Sequence, residues 1–214
     1  MTSLYLFSGL GTDHRIFQRL DFSGFAVHHI QWIPALAGER IDQYAKRLTG
    51  QIDTPRPILV GVSFGGIMAV EVAKYLNPRH VILLSSAKTS SEIPFSSSWL
   101  RTLGLHRIFP VFLLKRSWLI TDWFFGIQGA ADKQLLGDIL RDTDPSFLRW
   151  AIDQMMRWKN TIAPEKTTHV HGTHDRILPY RFVHADIALE GGGHFMVFNR
   201  AKEISEIISG AQAV

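Results

Sequence analysis

The stretch ILVGVSFGGIMAV at residues 58–70 constrains the fold of this chain more than any other. A run of apolar, β-favouring residues ends at Gly61, and apolar residues resume at helical spacing from Ile67. These two patterns predict a strand, a sharp turn and a helix, with Ser63 at the apex of the turn. Such a turn strains the backbone at the serine and leaves no space for side chains beside it, which explains glycine at positions 61 and 65.

Two interpretations fit a serine at such a turn. An exposed hydroxyl at the apex can act as a nucleophile. A glycine-rich strand-to-helix turn can instead pack the helix close to the sheet, or bind a phosphate at the helix N-terminus. A five-residue match of this kind arises by chance in about one chain in ten, so the choice depends on the rest of the chain.

The composition predicts one soluble globular domain. Hydrophobic residues make up 46% of the 214 residues and charged residues 20%, which is ordinary for such a domain. The net charge of +4 is scattered along the chain, so no nucleic-acid partner is indicated. The absence of cysteine excludes disulfides, thiolate metal sites and a cysteine nucleophile. We find no signal-peptide pattern and no apolar run long enough for a membrane span, and we therefore expect a cytoplasmic location. The oligomeric state is not indicated.

Predicted strands and helices alternate along most of the chain. Besides the strand before Ser63, apolar runs predict strands at residues 3–7, 25–30, 80–85, 167–171 and 183–189, and helical patterns cover residues 14–20, 39–48 and 201–208. Alternation of this kind predicts an α/β fold with a mostly parallel sheet, right-handed crossovers and helices on both faces.

Residues 88–159 interrupt this alternation. They are rich in large apolar residues and long enough for three or four helices, the last of which begins after Asp144 and Pro145, a typical N-cap and first-turn pair. Most of the aromatic residues in this insertion are expected to form a core, with a minority lining a pocket open to Ser63.

Two further residues are positioned to make Ser63 a nucleophile. A serine hydroxyl reacts when a histidine removes its proton and a buried carboxylate orients that histidine. Asp175 comes four residues after the predicted strand at 167–171, and His194 lies in a glycine loop after the predicted strand at 183–189. Because parallel strands end at the same edge of a sheet, we expect all three side chains to meet there.

Three motifs together resemble the α/β-hydrolase superfamily. They are GVSFGG at residues 61–66, HGTHDRILP at 171–179 and GGHF at 192–195, which are similar to the nucleophile elbow, the acid loop and the histidine loop. The order Ser, Asp, His is that of the family, and the resemblance covers nearly the whole chain. It implies a single α/β-hydrolase domain with a trimmed sheet of about six strands. Residues 1–87 and 160–214 would form the core of that domain, and residues 88–159 a helical cap.

The resemblance also implies an activity. The expected enzyme hydrolyses carboxylic ester or thioester bonds through an acyl-enzyme, with Ser63 as nucleophile, His194 as base and Asp175 as acid. The expected substrate is a small molecule with a hydrophobic acyl or alcohol part, and no cofactor or metal is expected.

The family's oxyanion hole consists of two backbone N–H groups, which by position would belong to Phe64 and Leu10. Ser8 stands where the family often has histidine. This departure leaves the main-chain donor in place, but it leaves Gly9 and Gly11 open as alternatives to Leu10.

Three other interpretations were weighed. The same fold can serve as a binding protein with an inactive triad, or as a cofactor-free lyase or C–C bond hydrolase. The cluster formed by His169, His171, His174 and Asp175 also suggests a metal site. Its spacing differs from that of metallo-β-lactamase-like hydrolases, in which the carboxylate precedes the last histidine.

Overall fold

The computed structural model describes residues 1–94 and 129–211. Within these ranges six strands and six α-helices form. The strands are Thr2–Phe7 (β1), Phe25–His29 (β2), Ile58–Val62 (β3), His80–Leu84 (β4), Thr167–Gly172 (β5) and Ile187–Leu189 (β6). The helices are Ile41–Leu48 (α1), Phe64–Ala73 (α2), Ala130–Asp142 (α3), Pro145–Arg157 (α4), Met196–Asn199 (α5) and Ala201–Gly210 (α6). No helix in the described ranges is long and apolar enough to cross a membrane.

The six strands form one sheet in the order β2-β1-β3-β4-β5-β6, and every neighbouring pair is parallel. The predicted α/β architecture with a mostly parallel sheet of about six strands is thereby confirmed. All carboxyl ends of the strands lie at one edge, and β3 and β4, which are entirely buried, occupy the middle of the sheet.

Two hydrophobic clusters cover the two faces of the sheet, as the alternation of side chains along a strand requires. On one face, Leu4, Leu6 and Val60 pack with residues of α3, α5 and α6. On the other, Tyr5 and Leu59 pack with α1, α2 and α4. Strands with both faces covered need apolar residues at nearly every position, which is why their sequences are continuous apolar runs.

Some elements are shorter than their sequence patterns predict. The strand expected at 183–189 begins only at Ile187, and it is preceded by a 3₁₀ helix at residues 180–182, where the Val183 N–H donates to the Tyr180 carbonyl. The helix expected at 14–20 is a single 3₁₀ turn, His14–Phe17, which is capped by Asp13. In both places the apolar side chains that produce the pattern are buried, but the backbone does not form the longer strand or helix that the pattern predicts.

The turn at Ser63 has the predicted strain. Ser63 has φ 52° and ψ −121°, a conformation that non-glycine residues rarely adopt. The end of β4 and the residues after it hold Ser63 in place: the Ser63 N–H donates to the Leu84 carbonyl at 2.9 Å, and the Ser86 hydroxyl donates to the Ser63 carbonyl at 2.7 Å. A Cβ atom on Gly61 would lie 2.4 Å from the Gly65 carbonyl oxygen, which explains the glycine before the serine.

We expect Gly65→Ala to destabilise the fold severely. The added Cβ would lie 2.2 Å from the Ser8 carbonyl oxygen and 2.3 Å from that of Phe7, and backbone atoms at the end of β1, a strand that is paired on both sides, cannot move aside. The free energy of unfolding, measured by urea denaturation, should fall by about 3 kcal/mol. Gly50→Ala is the matched control, because its Cβ would meet nothing within 4 Å. Equal stability of the two variants would contradict this account of the turn.

The predicted helical insertion at 88–159 is described in part. Helix α4 begins as predicted, with Pro145 in its first turn and the Asp144 carboxylate accepting the Ser146 N–H at 2.8 Å. Besides the apolar contacts given above, α3 contacts the core through Asp142, which pairs with Arg15 at 2.7 Å, and α4 through Trp150, whose Nε1–H donates to the Glu39 carbonyl at 2.8 Å. The predictions that concern residues 95–128, including most of the aromatic residues, lie outside the described residues.

Candidate active site

Three side chains predicted from the sequence meet at the carboxyl edge of the sheet. The Ser63 Oγ lies 2.9 Å from His194 Nε2, and His194 Nδ1 lies 2.7 Å from Asp175 Oδ2. Ser63 follows β3, Asp175 follows β5 and His194 follows β6. Asp175 and His194 are buried, whereas Ser63 is half-buried. The arrangement is a continuous hydrogen-bonded chain from a hydroxyl through an imidazole to a carboxylate.

The surroundings of Asp175 keep it ionised. Burial by itself would raise the pKa of Asp175, but the imidazoles of His194 and His171, through charge and hydrogen bonding, hold that pKa well below its ordinary value. The other carboxylate oxygen accepts the backbone N–H groups of Ile177 and Leu178, both at 2.9 Å. An ionised carboxylate only accepts hydrogen bonds, so His194 must bear its hydrogen on Nδ1. In neutral His194, Nε2 then accepts the Ser63 hydroxyl hydrogen.

Close backbone contact brings the acid loop and the histidine loop together. A Cβ atom on Gly172, at the end of β5, would lie 2.2 Å from the Gly192 carbonyl oxygen. The His174 N–H donates to that same carbonyl at 2.9 Å. A residue larger than glycine at position 172 would therefore push apart the two loops that hold Asp175 and His194.

A tight turn at residues 9–12 lies beside Ser63. The Thr12 N–H donates to the Gly9 carbonyl at 3.1 Å and Gly11 has φ +70°, which is typical of a type II turn. A Cβ atom on Gly9 would lie 3.5 Å from the Ser63 Cβ. The turn's own hydrogen bond does not use the N–H of Leu10, its second residue. Phe64 is the first residue of α2, so its N–H has no acceptor within the helix.

A hydrogen-bond network that the sequence analysis missed holds this turn. The buried Ser8 hydroxyl donates to the Thr12 carbonyl at 2.9 Å and accepts from Trp32 Nε1 at 3.0 Å. In the sequence, Ser8 stands out only as a departure from the family, and nothing in the sequence patterns singles out Trp32. Ser86, which binds the Ser63 carbonyl, was likewise not predicted.

The histidines considered as metal ligands have other surroundings. His169 and His171 are buried, and their rings are hydrogen-bonded to each other at 3.2 Å between His169 Nε2 and His171 Nδ1. His174 is exposed, and Asp175 belongs to the site described above. Across residues 1–94 and 129–211, no group of three or more side chains is arranged to hold a metal ion.

A parallel sheet of this order, with serine, aspartate and histidine at its carboxyl edge, defines the class of α/β hydrolases. The chain belongs to the alpha/beta hydrolase family, whose sequence model matches residues 4–207. A search of curated protein sequences finds no significant match.

Solved structures with the same fold cover nearly the whole chain. One is a thermophilic esterase from Thermogutta terrifontis, with 15% identity, a TM-score of 0.70, and coverage of 98% of this chain and 89% of that one. An enol-lactonase from Burkholderia xenovorans LB400 has 15% identity and a TM-score of 0.71, with 100% and 92% covered. A bromoperoxidase from Bacillus anthracis has 18% identity and a TM-score of 0.71, also with 100% and 92% covered. At these identities the likeness establishes the fold alone.

Proposed function

We propose that this protein is a serine hydrolase that cleaves carboxylic ester or thioester bonds through an acyl-enzyme. The observation that most supports it is the hydrogen-bonded chain from Ser63 through His194 to Asp175, with links of 2.9 and 2.7 Å. A binding protein needs no such chain, and the strained backbone at Ser63 is also typical of a nucleophile. The structural relatives that are an esterase and an enol-lactonase agree with this choice.

The proposed reaction has two stages. Ser63 Oγ attacks the substrate carbonyl carbon while His194 Nε2 takes the hydroxyl proton, and the same proton then passes to the departing alcohol or thiol. A water molecule next attacks the acyl carbon, again giving its proton to His194, and the Ser63 oxygen leaves with that proton. Asp175 remains ionised throughout and stabilises the positively charged imidazole.

Two backbone N–H groups are proposed to stabilise the oxyanion that forms in each stage. The N–H of Phe64 stands at the start of α2, where the helix dipole also favours negative charge. The N–H of Leu10 belongs to the turn beside Ser63 and is not used by the hydrogen bond of that turn. Fixed donors of this kind stabilise a developing charge without reorganisation, and the loss of one costs about 10²–10³ in kcat.

The hydrogen bonds of Ser8 give a test of whether the turn at residues 9–12 is held in place to stabilise the oxyanion. Ser8→Ala removes the bond to the Thr12 carbonyl and leaves the Trp32 N–H without its acceptor, so the turn loses its support. We expect kcat for p-nitrophenyl acetate to fall about tenfold with KM nearly unchanged, because only the transition state uses the oxyanion donors.

Thr49→Ala is the matched control for Ser8→Ala. The Thr49 hydroxyl also bonds to a main-chain carbonyl, that of Lys46 at 2.7 Å, but in an exposed region. Its kcat should equal that of the wild type. An unchanged kcat in Ser8→Ala would show that this network does not position the turn.

We further propose that residues 88–159 act as a cap over the site. Leu140 of α3 lies 3.0 Å from the position of a Cβ on Gly11, and Leu148 of α4 lies 3.9 Å from it. Both helices therefore reach the turn that is proposed to bind the oxyanion. Aromatic rings lie near the same turn: Trp32 stacks on Phe147 with ring centroids 5.4 Å apart. Such apolar surroundings favour a substrate with a hydrophobic acyl or alcohol part.

Hydrolysis of a graded substrate series tests the proposed function. Purified protein should hydrolyse p-nitrophenyl esters, with a kcat/KM that depends on acyl length between acetate and dodecanoate. Thioesters with the same acyl groups should show, by their kcat/KM, which of the two bonds the protein cleaves faster. The folded protein's failure to hydrolyse any ester or thioester in the series would contradict the proposal.

A further inference from the structure

A second imidazole contacts the carboxylate of the site. His171 Nε2 lies 3.3 Å from Asp175 Oδ2, the same oxygen that His194 contacts, and 2.8 Å from the Leu178 carbonyl oxygen. The side chains of His171 and Asp175 are both fully buried. Nothing in the reaction described above uses this histidine, although it is in direct contact with a group that the reaction requires.

The hydrogen-bond partners define which atom of His171 is the donor. A carbonyl only accepts hydrogen bonds, so His171 Nε2 carries a hydrogen that it donates to the Leu178 carbonyl, and the same N–H group lies beside Asp175 Oδ2. In the neutral form of His171, Nδ1 accepts a hydrogen bond from His169 Nε2 at 3.2 Å. His169 itself is neutral, chiefly because burial lowers its pKa to about 3.

The groups around the pair determine the local charge. Beyond His169, Asp186 accepts the His169 backbone N–H at 2.7 Å and pairs with Lys88 at 3.1 Å, so these two charges largely offset each other. On the other side, the ring of Tyr180 lies 6.3 Å from that of His171. Among the residues that the structure describes, Asp175 contacts His171 directly, and His194 contacts the same Asp175 oxygen.

We infer that His171 is a positioning residue, which fixes Asp175 Oδ2 toward His194 and moderates the negative charge that His194 experiences. The inference rests on the proposed function, because it concerns Asp175, the carboxylate that orients His194 in that reaction. A hydrogen bond donated to a carboxylate withdraws charge from its oxygen, so the carboxylate then attracts the protonated imidazole less strongly. His171 therefore keeps His194 available as a base at lower pH than Asp175 alone would.

His171→Leu removes this donor and shifts the pH dependence in a defined direction. Without the donor, Asp175 stabilises protonated His194 more strongly, so the base form of His194 is lost at a higher pH. The rate at which a fluorophosphonate labels Ser63 is measured from pH 5 to 9. On the acid side of this profile the rate declines, and the midpoint of that decline, the acid limb, should lie roughly half a pH unit higher than in the wild type. At the acid end, labelling would then be about threefold slower than in the wild type.

His171→Gln is the conservative variant, because its amide N–H can reach the place of the imidazole Nε2–H. It should return the acid limb to within about 0.2 pH unit of the wild type. A purely structural role for His171 would lower thermal stability, or the rate at every pH, without moving the limb. If His171→Leu does not fold, His171→Met, which also lacks a donor, takes its place in the comparison.

Each outcome of this experiment bears on the inference. A raised limb in the variant without a donor, together with restoration by glutamine, would support it. A limb that stays at the wild-type pH in His171→Leu or His171→Met would overturn it while leaving the proposed function intact. Absence of labelling in the folded wild type would overturn the proposed function, and this inference with it.

Discussion

Ser63→Ala is expected to abolish ester hydrolysis while leaving the fold unchanged. The variant loses the proposed nucleophilic atom, and the proposed oxyanion donors cannot replace a covalent step. Removal of the nucleophile from a serine hydrolase costs about 10⁴–10⁶ in kcat, so turnover of p-nitrophenyl acetate should fall to the background rate.

The same variant should fold normally. Ser63 is half-buried, and its strained φ of 52° is held by bonds to its backbone from Leu84 and Ser86, which alanine keeps. We expect the free energy of unfolding to change by less than about 0.5 kcal/mol. Ser91→Ala, at an exposed serine, is the control and should retain full activity. Residual activity above a few per cent of wild type would mean that another residue is the nucleophile.

Asp175→Asn is expected to lower kcat by about 10⁴. Asparagine has the same shape and can still accept the N–H groups of Ile177 and Leu178. Its amide group would then face His194 Nδ1, where it donates instead of accepting. His194 would be driven to carry its hydrogen on Nε2, and in that tautomer it cannot take the proton of Ser63.

Asp138→Asn is the matched control for Asp175→Asn. Asp138 lies on α3, where it pairs with Arg141 at 2.9 Å on an exposed surface, so kcat should stay within about twofold of the wild type. Steady-state kinetics on p-nitrophenyl acetate, with circular dichroism to check folding, measure both variants. An Asp175→Asn enzyme with more than a tenth of wild-type activity would assign the acid to another residue.

Much of the candidate site could be predicted because it depends on chain order and strand ends. Ser63, Asp175 and His194 each follow an apolar run, and strands of a parallel sheet end at one edge, so their meeting follows from topology. Gly61 and Gly65 could be explained from the sequence because the backbone approaches too closely for any side chain.

The supporting contacts could not be predicted, because they depend on side-chain packing between distant segments. Ser8 and Trp32 are 24 positions apart, and Ser63 and Ser86 are 23 apart. No periodicity marks such pairs. Residue type and spacing suggest His171 as a metal ligand, because they do not show that its ring lies against Asp175.

The most direct test of the account is the site at which a fluorophosphonate probe reacts. The intact mass should increase by one probe per chain, and digestion should place the adduct on the peptide that contains Ser63. Heat-denatured protein and the Ser63→Ala variant should not be labelled, because reaction needs a serine that a folded site activates. An adduct on another residue, or a folded wild-type protein that does not react, would contradict the assignment of Ser63 as the nucleophile.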